Sequence, residues 1–148
     1  MQSSILRSSI VALGLAASIG SAPAAFAEIQ IYTADLKGSN EVPAVNSKGY
    51  GAVQCTYDTV SKKFTYNVAW GGLSGPATGA HFHGPATVKE NAGIVVQIKD
   101  PANPSPIHGD ASIDSQQAAD LQAGKWYFNV HTEANKGGEI RGQLIQKK

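Results

Sequence analysis

Residues 63–70 put Phe64, Tyr66, Val68 and Trp70 on one side of an extended chain and Thr65, Asn67 and Ala69 on the other. A period of two is that of a strand with one buried face; a helix would repeat its apolar residues every three or four positions. Residues 51–57 read as a second such strand, and Asp58-Thr59-Val60-Ser61-Lys62 between the two reads as a hairpin loop. Further strands are predicted at 28–34, at 80–83 between the turn residues Gly79 and Gly84-Pro85, at 109–113, at 125–132 and at 139–145. The run 93–98 is close to continuously apolar, broken only by Gln97, which predicts a central strand. Pro101, Pro104 and Pro106 force a loop after it, and residues 38–50 are poor enough in apolar side chains to form a long connection. One helix is predicted over 115–123. Asp114 caps it, Gln117 is the reciprocal partner, Ile113 and Ala118 stand at staple positions, and Gly124 stops it. Short strands with frequent Gly and Pro turns predict an all-β fold, a Greek-key antiparallel β-sandwich or flattened barrel with one short helix.

The N-terminus reads differently. Arg7 precedes an apolar stretch over 10–19, and Gly20, Pro23 and the triplet Ala25-Phe26-Ala27 follow. That order predicts a signal peptide over residues 1–27, cleaved after Ala27, and one domain over 28–148. The apolar stretch is shorter than the roughly 20 residues of a membrane span. The expected location is therefore periplasmic or secreted, with no membrane span in the mature chain. Removal of Arg7 leaves eleven basic residues against eleven acidic ones. A neutral domain offers no field for nucleic acid. Cys55 is the one cysteine, so no internal disulfide can form; it alternates with Val53 and Tyr57 and reads as a small buried residue.

Chemistry concentrates on the four histidines. In Ala80-His81-Phe82-His83 the two imidazoles share the face opposite Ala80 and Phe82, spaced by about 7 Å of backbone, close enough to chelate one ion. In Trp126-Tyr127-Phe128-Asn129-Val130-His131 the core face is Trp126, Phe128 and Val130, so His131 lies opposite it with Tyr127 and Asn129. A metal site is expected at His81, His83 and His131. His108, on the Pro-rich loop, either folds over as a fourth ligand or stays in solvent. Imidazole suits copper, zinc, iron and nickel; copper is the first expectation and zinc the second. If Val130 pairs with Ile140 or Gly142, then His131 lies opposite Glu139 or Arg141. A carboxylate there could orient the imidazole, or Glu139 and Arg141 could form an ordinary ion pair.

Several motifs resemble the CHRD family, the domain first named in chordin and also found alone in exported bacterial proteins. They are Gly38-Ser39-Asn40-Glu41-Val42-Pro43, Gly72-Leu73-Ser74-Gly75, Ala80-His81-Phe82-His83-Gly84-Pro85, Asn129-Val130-His131-Thr132 and Gly138-Glu139-Ile140-Arg141-Gly142-Gln143. The resemblance covers residues 31–146. It implies an extracytoplasmic β domain and marks three histidines as motif residues; it implies no reaction. A looser similarity links the histidine order to the copper-zinc superoxide dismutases, whose copper is held on the outer face of a Greek-key barrel. The later spacing differs, and the disulfide and an assignable active-site arginine are missing.

Three functions follow as expectations. The first is an exported binding module with a surface histidine metal site. The second is a structural or protein-interaction domain, with an extracytoplasmic protein partner, whose histidines pin the Gly84-Pro85 turn and the last hairpin. The third is a redox enzyme like the dismutases. The chain lacks a nucleophile elbow and a phosphate-cradling loop, so nothing in it assigns catalytic residues or a reaction.

Overall fold

A computed structural model describes residues 26–102 and 106–148. Apart from Phe26 and Ala27, the expected leader lies outside the described residues. The strands are β1 (Ile29–Lys37), β2 (Tyr50–Asp58), β3 (Lys63–Gly71), β4 (Ala77–His83), β5 (Ile94–Gln97), β6 (Ile107–Ser112), β7 (Tyr127–Thr132), β8 (Ile140–Gln143) and β9 (Ile145–Lys147). The helix α1 spans Ser115–Gln122. Every strand predicted from alternation is present, with ends that move by a few residues. The long connection 38–50 begins with a 3-10 turn, Gly38–Asn40.

The strands pair antiparallel in the order β5-β4-β7-β8-β1-β2-β3-β6, with β9 on β1. Phe64 on β3 and Phe82 on β4 lie far apart in that order, yet their rings meet edge-on at 5.1 Å. Phe64 also meets Trp126 at 5.3 Å. The sheet therefore curls over on itself into a nearly closed, flattened barrel filled by aromatic side chains. These rings, with Tyr32, Leu36, Val68, Phe128 and Ile140, are withdrawn from solvent. Burying a side chain of this size contributes about 1.5–3 kcal/mol. Cys55 is part of this interior, and burial pushes its thiol pKa up, which leaves it inert.

The helix forms as its ends dictate. The Asp114 carboxylate accepts from Gln117 N at 2.8 Å, and the Gln117 side chain accepts from Asp114 N at 2.9 Å. Gly124 takes a positive φ of 71° at the other end. Ala118 and Leu121 face the core, where Ile113 also lies.

One expectation is corrected. β5 is an edge strand rather than a central one. Val96 packs inward, but Ile94 is 54% exposed. A nearly continuous apolar run reads as covered on both faces; here β5 pairs with β4 alone, and that pairing leaves it at the end of the sheet.

Candidate metal centre

The β4–β7 pair carries the site. Ala80 faces Val130 and Phe82 faces Phe128 on the inner side. The intervening rungs, His83 with Tyr127, His81 with Asn129 and Gly79 with His131, therefore turn outward. Gly79 matters by what it lacks: a Cβ there would lie 3.1 Å from the His81 ring and 3.6 Å from that of His131. The bare backbone leaves those two rings room to meet.

They do meet. His81 Nδ1 is 3.1 Å from His131 Nε2. His131 Nδ1 faces the Lys136 carbonyl at 2.8 Å and donates to it, so in the neutral ring Nε2 carries the lone pair. His83 joins from the same strand as His81, its ring 5.4 Å from that of His81. One ligand nitrogen from each of the three lies within 4.8 Å of the others.

Only part of this site is a surface site. His81 and His131 are half-buried, whereas His83 is 7% exposed, covered by residues 84–93. His83 Nδ1 faces the Ala92 carbonyl at 3.0 Å, and Nε2 faces Asn129 Oδ1, also at 3.0 Å. The ring stacks on Tyr127, 4.8 Å between centroids and 7° from parallel. Arg141 on β8 places its guanidinium 3.5 Å from the centre of the same Tyr127 ring. Because β7 lies between β4 and β8, Tyr127 is layered between His83 and Arg141. Arg141 in turn donates to the Thr87 and Glu90 carbonyls and to Asn91 Oδ1, which ties the covering segment down.

The electrostatics favour bare imidazoles. Burial, then the charges of His131 and His83, hold the His81 pKa down at about 4. Burial also lowers that of His83, against the pull of its hydrogen bonds to Ala92 and Asn129. A neutral imidazole is the form that binds a metal.

His108 stands apart from the cluster. It lies on strand β6 rather than in a loop, exposed and paired with Asn67 of β3. The carboxylate expected behind His131 is also absent from that position. Val130 pairs with Ile140, which brings Glu139 to the expected rung, yet the Glu139 side chain turns to the barrel end. There it accepts from Ser47, Thr132 and both the backbone and hydroxyl of Ser74. Nor does it pair with Arg141, whose donors are committed to residues 87–91.

Two residues escaped the sequence reading. Glu41, at the turn that follows β1, is 5% exposed and approaches Asn129 and Arg141. Burial raises its pKa to about 7, although the Arg141 charge and the Asn129 amide act the other way. Gly138, at φ 123°, packs directly on this pair: a Cβ there would collide with the Glu41 carboxylate and the Asn129 amide nitrogen. A lone acid in a polar turn gives no periodic signal. Its place inside a motif quoted for the CHRD resemblance was the available clue.

The fold and the site together define an antiparallel β-barrel domain with a three-imidazole cluster on its outer wall. A family model described as CHRD domain matches residues 32–144, and the chain belongs to that family. No curated protein and no solved structure matches it.

Proposed function

We propose that this chain is an exported CHRD-domain binding module that takes up one divalent transition-metal ion, copper before zinc, at His81, His83 and His131. The observation that carries the reading is the 3.1 Å approach of His81 Nδ1 to His131 Nε2. Two nitrogens bound at about 2.0–2.1 Å to one ion stand roughly 2.9–3.4 Å apart. The donor set fits an ion that accepts imidazole. The full span of up to 4.8 Å is wider than the roughly 4.1 Å between opposite ligands, so a small ring rotation must draw the third nitrogen in. Export rests on the leader pattern of residues 1–27, and it places the domain where these ions are less tightly held than in cytosol. Metal analysis of protein purified from the exported fraction, beside His81→Ala and His83→Ala, tests the reading. Wild type should hold close to one ion per chain and each variant far less; equal, trace content in all three would refute it.

A second reading has its own observation. His83 and His131 both bond to backbone carbonyls of loops, Ala92 and Lys136, as a purely structural or protein-interaction domain would use them. It predicts that a chelator leaves the melting temperature of the exported protein unchanged while His131→Ala lowers it. The dismutase-like redox reading needs turnover above that of free copper in a copper-loaded sample.

A further inference from the structure

Asn129 sits in the middle of the histidine cluster. It pairs with His81 across β4 and β7, precedes His131 by two residues on the same face, and holds Oδ1 3.0 Å from His83 Nε2. Beside Gly138 its Nδ2 end approaches the Glu41 carboxylate, whose buried Oε1 lacks a well-formed hydrogen bond. His83, Asn129 and Glu41 are all buried. An amide donates only from nitrogen and accepts only at oxygen. When Glu41 is ionised, its carboxylate favours the amide nitrogen at that end and so turns the oxygen toward the histidines at the other.

That oxygen creates a conflict. His83 already faces the Ala92 carbonyl through Nδ1. A neutral imidazole has one N–H and cannot donate to both oxygens. One of the two contacts then sets a lone pair against a lone pair in a buried place, which is costly. A cation shared by His83 Nε2 and Asn129 Oδ1 removes the conflict, with His83 Nδ1 donating to Ala92. With bonds of about 2.05 Å, atoms 3.0 Å apart subtend about 94° at the ion, and the His81–His131 pair at 3.1 Å about 98°. Both angles suit square-planar or octahedral ligation better than a tetrahedron.

Resting on the metal reading above, we propose that Asn129 Oδ1 is a fourth ligand, aimed by Glu41 as a positioning residue, in an N3O set that selects a tetragonal ion such as Cu(II) over Zn(II). Glu41 stands to the amide as a carboxylate stands behind a metal-binding histidine, holding the ligand atom forward.

The test is competitive titration with Cu(II) and Zn(II), with Cu(II) spin-resonance spectra, on the mature chain and its variants. Asn129→Leu should weaken Cu(II) binding by about 10–100-fold and alter the spectrum. Glu41→Gln should weaken it by about 10-fold with the strand signature intact. In the double variant Asn129→Asp with Glu41→Gln, the new amide donates to the new carboxylate, and Cu(II) affinity should return to at least the wild-type level. Asn129→Leu with wild-type affinity and an unchanged spectrum would overturn this inference and leave a three-imidazole site standing. If Asn129→Leu fails to fold, a folded double variant that binds Cu(II) no better than Glu41→Gln overturns it as well. Wild type that binds no more tightly than His81→Ala overturns both this inference and the metal reading.

Discussion

His81 Nδ1 stands 3.1 Å from His131 Nε2 across the β4–β7 pair, where Gly79, the cross-strand partner of His131, brings no side chain between them. Two bare lone pairs repel at that distance; a shared proton or a shared ion makes the approach favourable. Because His131 Nδ1 donates to Lys136, the proton in the metal-free protein belongs to His81 Nδ1. An ion takes its place once His81 moves its proton to the other ring nitrogen.

A bound ion should therefore stabilise the fold. Free Cu(II) at 100 times its dissociation constant adds about 2.7 kcal/mol, a rise of roughly 10 °C in melting temperature for a domain of this size. Scanning calorimetry with and without the ion should show that rise in wild type and its loss in His81→Ala.

Half-buried His81 and buried Glu41 should oppose each other as pH changes in the metal-free protein. His81, with its pKa lowered to about 4, binds its proton more readily when unfolded, so its contribution to stability grows as pH rises from about 4 to 6.5. Glu41, raised to about 7, binds its proton more readily when folded, so its contribution shrinks as pH rises from about 4.5 to 7. His83, also lowered, adds to the rise from His81, so wild type should change more gently between about pH 4.5 and 6.5 than the Glu41→Gln variant. Glu41→Gln should expose the rising slope and His81→Gln the falling one, each on the order of 1 kcal/mol after solvent screening. Urea melts across this range would check the signs.

Glu139 should be the main acid-sensitive carboxylate. Burial acts to raise its pKa, but hydrogen bonds from Ser47, Ser74 and Thr132 outweigh it and bring the value to about 2. Its stabilisation is complete above about pH 4.5 and is lost as pH falls toward 2. Glu139→Gln should cost about 1–3 kcal/mol at pH 7 and much less at pH 2, as read by denaturant midpoints.

Arg141→Lys should loosen residues 84–93. An ammonium cannot reproduce the three hydrogen bonds of the guanidinium or its layer on Tyr127. A loss of about 2–3 kcal/mol is expected, with amide exchange rising first in 84–93 and last in β7. Uniform exchange across both would count against a local tether.

Much of the fold was legible from local signals. The alternation of 63–70, the Asp114–Gln117 cap and the outward placement of His81, His83 and His131 each depend on a short stretch of chain. Backbone period and hydrogen-bonding geometry decide such features before distant contacts form. What the residues alone determined was thus an all-β domain with three imidazoles on the face opposite its core. Tertiary structure decided the rest. Strand order put β5 at an edge although its composition reads as central. Pairing of β4 with β7 closed the distance between His81 and His131, some 50 residues apart. The segment 84–93 buried His83, and the turn after β1 brought Glu41 behind Asn129. These depend on which strands meet and on the curl of the sheet, and no local pattern encodes either, because a residue's period fixes the face it occupies but not the neighbour that face will meet.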